Sequence, residues 1–157
     1  MDTLSILLQT TCSLLSLKYR LRILRSHFNQ IFFSPAESEQ LTPDDLAWLN
    51  SLPKPFLEQF NQNNLSQIMT DLENNISKLQ VLILYLPFEV NDRIVEQIGQ
   101  KTRIIFSQLL LLDIKYDPSL IAGCALVWKG ILRDYSLKAK IEQEKAQILE
   151  SFKKYLR

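Results

Sequence analysis

The chain has 157 residues, 46% of them hydrophobic, enough for one domain or two small ones with a real core and too apolar for wholesale disorder. A net charge of +1 gives no global field to recruit nucleic acid, and the three glycines, Gly99, Gly123 and Gly130, are too scattered to form a phosphate-cradling loop. The charge is unevenly spread: residues 1–33 carry +3, residues 34–79 carry −5, residues 80–135 balance and residues 136–157 carry +3, so two basic ends flank an acidic middle and point to contacts within the chain or with partners.

In residues 3–32, Leu4, Leu7, Leu8, Thr11, Leu14, Leu15, Leu21, Leu24, Phe28 and Ile31 recur at three- and four-residue steps, which predicts one long amphipathic helix. Ser34 and Pro35 end it, and residues 35–41 read as a loop. Thr42-Pro43-Asp44-Asp45 is a helix start: threonine caps, proline suits the first helical position, and the aspartates favour the positive end of the helix. That short helix carries Leu46, Trp48 and Leu49 and stops near Ser51, where Pro53 and Pro55 punctuate the chain. A further helix has Phe56, Leu57, Phe60, Leu65, Ile68, Met69, Leu72 and Ile76 as its apolar set, and Asn61, Asn63 and Asn64 predict a break in its middle.

The character changes at Leu79. Residues 81–86 form a continuous apolar run ended by Pro87, the length of a buried strand. Asn91 and Asp92 start a helix with Ile94, Val95 and Ile98, which the sequence predicts to stop around Gly99. Residues 104–116 read as a second β run with a bend near Gln108. Residues 124–128 and 131–133 flank Lys129-Gly130, a tight turn. Ser136 caps a final helix whose face is Leu137, Ile141, Ile148, Phe152 and Leu156. The fold class expected is α+β: a helical bundle over residues 1–78, then a small α+β domain over 79–157 with a long C-terminal helix.

Few residues are placed for bond-breaking chemistry. His27, the single histidine, lies beside Phe28 on a basic helix flank, so a Ser–His–Asp triad would have to use it there; an ordinary boundary histidine is the simpler reading. Cys12 and Cys124 have no metal-ligand spacing and read as buried free thiols of a reducing compartment. Asp117 and Asp134 form a possible acid–base pair, but aspartate before proline initiates turns, and Asp134 stands where a strand gives way to a helix whose free N–H groups need acceptors. Lys18, Arg20, Arg22 and Arg25, with Tyr19, form a candidate nucleic-acid surface or the basic edge of a core helix. Trp48 and Trp128 are interface anchors or core. The start has no basic signal-peptide region, and the apolar run of residues 4–17 is shorter than the about 20 residues that a span needs, so a cytoplasmic protein without a membrane span is expected.

Residues 84–141 resemble the C-terminal part of the delta subunit of F-type ATP synthase, the family of the oligomycin-sensitivity-conferring protein. Leu86-Pro87-Phe88 stands where that family has a strand ending in a small-residue–Pro–Leu element. Residues 91–99 match its helix. Asp117, Pro118, Ser119, Leu120, Ile121 and Gly123 match its D-P-S-L-I-G-G run, with Ala122 for the first glycine. Lys129-Gly130 falls at its hairpin, and Asp134 and Ser136 match D-G-S, with Tyr135 for the glycine. Ile141 replaces the usual leucine. If the family's glycine there supplies a positive φ, a tyrosine would be strained, and the local turn would differ from the family's.

The resemblance implies a non-catalytic peripheral-stalk connector with no cofactor or metal. Its partners would be the N-terminal segments of the alpha subunits and the C-terminal ends of the b subunits. It would be peripheral at the inner face of the plasma membrane, and residues 1–78 would be a reduced form of the family's N-terminal six-helix bundle. The expected partner surfaces are Leu14, Leu21 and Phe28 in the first helix, the segment 104–115, and Ile148, Phe152 and Leu156 in the last. The competing reading is a small α+β adaptor that binds nucleic acid or another protein through its basic ends; nucleic-acid affinity would then fall steeply with salt.

Overall fold

The computed structural model describes residues 3–33, 41–106 and 110–155. The chain divides into two compact units, Met1–Leu79 and Gln80–Arg157, and the fold class is α+β, with helices first and a small mixed sheet after them.

The first unit is helical: α1 (Thr3–Thr10), α2 (Leu14–Phe33), α3 (Pro43–Ser51), α4 (Lys54–Leu57) and α5 (Leu65–Ser77). The single helix expected over residues 3–32 is two helices, parted at Thr11-Cys12-Ser13. Local polar chemistry makes the break. The Thr10 hydroxyl donates back to the Leu7 carbonyl, and the Ser13 hydroxyl accepts the Ser16 N–H at 3.2 Å, which caps α2. Ten residues on, the Arg20 guanidinium donates to the Thr10 carbonyl and to the Thr10 and Thr11 hydroxyls, so the end of α1 is held by a side chain of α2.

Leu17, Leu21, Leu24 and Phe28 are buried on α2 at helical spacing, and Leu65, Met69, Leu72 and Ile76 on α5. The Phe28 and Phe60 rings stack with centroids 4.4 Å apart, and Phe56, fully buried, meets Phe60 edge-on at 5.4 Å. The break expected at the asparagines is present. Asn61 Oδ1 accepts the N–H groups of Asn63 and Asn64, and Asn64 Oδ1 accepts that of Asn61, an arrangement that competes with helix. Helix α3 starts as its sequence predicts. Thr42 Oγ1 accepts the Asp45 N–H, and Asp45 Oδ2 accepts the Thr42 N–H, a reciprocal capping box.

The second unit contains β1 (Val81–Leu86), α6 (Asp92–Phe106), β2 (Leu111–Tyr116), β3 (Ala125–Trp128), β4 (Ile131–Asp134) and α7 (Leu137–Tyr155). The sheet order is β2-β1-β3-β4. The β1–α6–β2 crossover makes the parallel pair, with Leu82 opposite Leu112, and the antiparallel hairpin β3–β4 adds on the other side of β1. Leu82 and Leu112 share a sheet face with Ile114, Leu126 and Trp128; Ile98 and Phe106 of α6 pack against this group, and the rings of Phe106 and Trp128 lie 4.9 Å apart.

Two expectations are corrected here. Helix α6 does not stop near Gly99. Gly99 and Thr102 are its buried residues, so the packed side of the helix carries on through them to Phe106, and tertiary burial outweighs the roughly 1 kcal/mol that a mid-helix glycine costs. Consequently the run 104–116 is not one β segment: residues 104–106 are helical and the strand begins at Leu111. The bend expected at Gln108 and the loop at 35–41, apart from residue 41, lie outside the described residues.

Candidate functional site

Residues 117–136 form a self-bracing element at the start of α7. Asp117 leaves β2 and is tied to β1, its N–H donating to the Leu86 carbonyl at 2.8 Å. Its carboxylate accepts the Ser119 N–H at 3.0 Å and caps a 3-10 turn over Pro118–Leu120. Leu120 is buried. The chain then reverses through Ile121, at φ 66 and ψ −55, with the Ala122 N–H donating to the Leu120 carbonyl at 2.7 Å. This is a γ-turn of the rare, positive-φ kind.

Gly123 follows at φ 83. A Cβ there would lie 2.4 Å from the Tyr135 carbonyl oxygen, so only glycine lets the two backbones approach. Two hydrogen bonds close the element: the Tyr135 N–H donates to the Cys124 carbonyl, and the Leu137 N–H to the Ala122 carbonyl at 2.8 Å. The second gives a partner to an N–H of the first turn of α7, where no intrahelical acceptor exists.

The hairpin and the cap complete it. Lys129 and Gly130 both hold positive φ, 50 and 79, as a two-residue turn of type I′ requires. Asp134 Oδ1 accepts the Ser136 N–H at 2.8 Å, and hydrogen bonding from the Ser136 hydroxyl and then this N–H holds the Asp134 carboxyl below its ordinary pKa. Ser136, fully buried, accepts the Ala139 N–H through its hydroxyl and caps α7. Asp117 and Asp134 therefore each serve a local turn. Tyr135 is accommodated because, among the described residues, the non-glycine residues with positive φ are Ile121 and Lys129; the strain falls at Ile121. Sequence pattern alone missed Ile121 as a strained residue and the Ala122 carbonyl as a cap, since both follow from the path of the main chain.

The residues expected to meet partners are not alike. Leu21 and Phe28 are buried in the helical unit, so they are core rather than surface; Leu14 is half-buried. In the segment 104–115, Leu111 and Leu112 are fully buried, which removes the start of the strand as a docking surface, whereas Ile104 and Ile105 of α6 are exposed. Ile148 is half-buried and Phe152 exposed on α7; Leu156 lies outside the described residues. Helix α7 runs for nineteen residues and buries none of them.

Other candidate groups have local roles. Arg25 pairs with Glu73 at 3.0 Å, Arg20 lies over the Trp48 ring at 5.2 Å besides holding α1, and Arg22 lies over the Tyr19 ring at 5.2 Å, so three of the four basic residues of α2 bind within their own unit. Burial of Asp45 pushes its carboxyl up, but hydrogen bonds from Thr42 and the Tyr19 hydroxyl, with the charge of Arg22, outweigh this and leave its pKa below the ordinary 3.8. His27 packs edge-on against Phe28, and burial lowers its pKa. Cys12 is buried and Cys124 half-buried, and the two form no disulfide. Among the described residues, no group of three or more His, Cys, Asp or Glu is placed to hold a metal ion, and no helix is long and apolar enough to cross a membrane. Comparison with protein-family models and with curated proteins finds no match to this chain.

Proposed function

We propose that this chain is a non-catalytic connector of the peripheral stalk of an F-type ATP synthase. It joins the N-terminal segments of the alpha subunits to the C-terminal ends of the b subunits and resists rotation of the catalytic head during proton-driven ATP synthesis. It works in the cytoplasm, peripheral to the inner face of the plasma membrane, and uses no cofactor. The observation that carries this reading is the element of residues 117–136. The residues that resemble the delta-subunit signature are spent on turns, caps and one close backbone approach, and together they launch a long helix whose apolar side is exposed.

A connector under torque needs a stiff base and a free face. The base here is the capped start of α7, tied through Ala122 and Cys124 to a sheet built around a parallel β1–β2 pair. The free face is the remainder of α7. Membranes from cells lacking the chain test the function. The account predicts that the catalytic head washes off at low salt and that ATP hydrolysis no longer drives proton pumping. A head that stays attached and coupled contradicts it.

A further inference from the structure

The two outer strands of the sheet, β2 and β4, are built differently. On β2 the apolar residues Leu111 and Leu112 are buried, and the strand continues with Asp113 and Lys115, whose side chains pair at 3.7 Å. Charges placed in this way blunt an edge against further strands. On β4 all four residues are exposed, Ile131 at 60% and Leu132 at 63%. Successive strand residues point to opposite faces, so β4 shows water an apolar side chain on each face, where an edge with one wet face would alternate apolar and polar.

The backbone of β4 is open on the same side. The Tyr135 N–H donates to the Cys124 carbonyl, and hydrogen-bonded pairs recur at every second residue of an antiparallel ladder. Arg133 and Ile131 therefore turn their N–H and C=O groups toward β3, while Leu132 and Asp134 turn theirs outward. Among the described residues β4 is the last strand of the sheet, and no strand takes up these outward groups.

Charge and register decide what does. Ile131 and Arg133 stand opposite Trp128 and Leu126, on the face that α6 covers further in. The Asp134 carboxylate is already occupied by the Ser136 N–H, which leaves Arg133 as the available charge of the strand. A second copy of β4 fits poorly in each antiparallel register that its outward groups allow. Leu132 against Asp134 stacks Arg133 on Arg133. Asp134 against Asp134 calls on the Ser136 N–H, which is already given to Asp134. Leu132 against Leu132 sets Arg133 on Ile131 and supplies it no carboxylate. A different strand, with apolar residues against Ile131 and Leu132 and an acid against Arg133, satisfies all three side chains.

We propose that the outer edge of β4 is a strand-addition site for an extended, acidic and apolar segment of a partner protein. The outward groups of Leu132 and Asp134 bind the segment's main chain, and Arg133 selects for its carboxylate. The proposal does not depend on the stalk reading, whose contacts lie on other elements.

Three labelled synthetic peptides test this on the full chain. The first has a Glu-Val-Ile core, which in antiparallel register sets glutamate opposite Arg133; the second has lysine for the glutamate; the third is the first with its valine amide N-methylated. In fluorescence anisotropy the glutamate peptide binds roughly tenfold or more tightly than the lysine peptide, and added salt narrows the gap. The N-methylated peptide does not bind, because the donor to the Leu132 carbonyl is gone. Binding slows amide exchange at Leu132 and Asp134. Arg133→Glu reverses the preference between the first two peptides. Leu132→Pro removes an outward donor, spares the ladder to β3 and abolishes binding. Circular dichroism and heat denaturation verify that both variants stay folded; should the proline variant unfold, Arg133→Glu and the N-methylated peptide decide. Equal binding of the glutamate and lysine peptides, binding of the N-methylated one, binding of none, or unchanged exchange at Leu132 overturns the proposal. So does self-association of the chain in sedimentation that Arg133→Glu leaves intact.

Discussion

Helices α2 and α7 are nearly equal in length, twenty and nineteen residues, and both carry apolar residues at helical spacing. Helix α2 buries Leu17, Leu21, Ile23, Leu24 and Phe28; α7 fully buries none of its residues and half-buries Ile148. The same sequence pattern thus produces a core in one unit and an open face in the other. What distinguishes them is what each unit supplies opposite the helix. Residues 43–77 bring Leu49, Phe56, Phe60, Met69 and Leu72 into the core of the helical unit. In the second unit α6 packs against the sheet, and among the described residues the backbone hydrogen bonds that tie α7 to the sheet side lie at its start. An amphipathic helix whose apolar side is left largely exposed can serve as a binding element in a way that an equally amphipathic core helix cannot.

Substitutions sharpen this contrast, beginning with the largest expected effect. Phe56→Ala opens a cavity at a fully buried ring and lowers the stability of the helical unit by about 3–5 kcal/mol in urea denaturation. Gly123→Ala puts a Cβ 2.4 Å from the Tyr135 carbonyl oxygen at a φ of +83. It costs about 2 kcal/mol or more and speeds amide exchange in the first turn of α7, while leaving the exchange of α2 unchanged. Thr42→Ala removes the reciprocal cap of α3 and costs about 1 kcal/mol.

Acid weakens the helical unit in two stages. The folded-state pKa of His27 lies below 6.5, so its contribution is complete above that pH and is lost as pH falls through it; His27→Gln removes this stage from a pH series of melting temperatures. Asp45 also titrates lower in the folded state, so its contribution is complete above pH 3.8 and disappears below. The smallest effect belongs to α7: Phe152→Ala changes the stability of the isolated chain by no more than about 0.5 kcal/mol, although Phe152 is as aromatic as Phe56. A large loss at Phe152, or none at Phe56, would break the contrast between the two helices.

Local chemistry was legible in the sequence. The capping box of Thr42 and Asp45, the asparagine break, the Lys129-Gly130 turn and the Ser136 cap each depend on residues within a few positions of one another, and each forms as read. Features set by distant residues were not legible. The break between α1 and α2 is fastened by Arg20 from the next helix. Helix α6 passes Gly99 because Thr102 and Phe106 continue its packed side. Periodicity marks which residues share a face, as Leu21 and Phe28 do on α2 and Ile148 and Phe152 on α7, but not which face finds a partner within the chain. The candidate site was half visible: its turn residues stood out, while the strain at Ile121 arises from closing the turn against α7.

Affinity capture of the tagged full chain from gently solubilised membranes, with mass spectrometry of the retained subunits, tests the central claim most directly. The account predicts alpha and b subunits of an F-type ATP synthase in stoichiometric yield with the native chain, and loss of the b subunits with the Ile148→Glu, Phe152→Glu variant. Capture that retains no ATP synthase subunit with the native chain would contradict it.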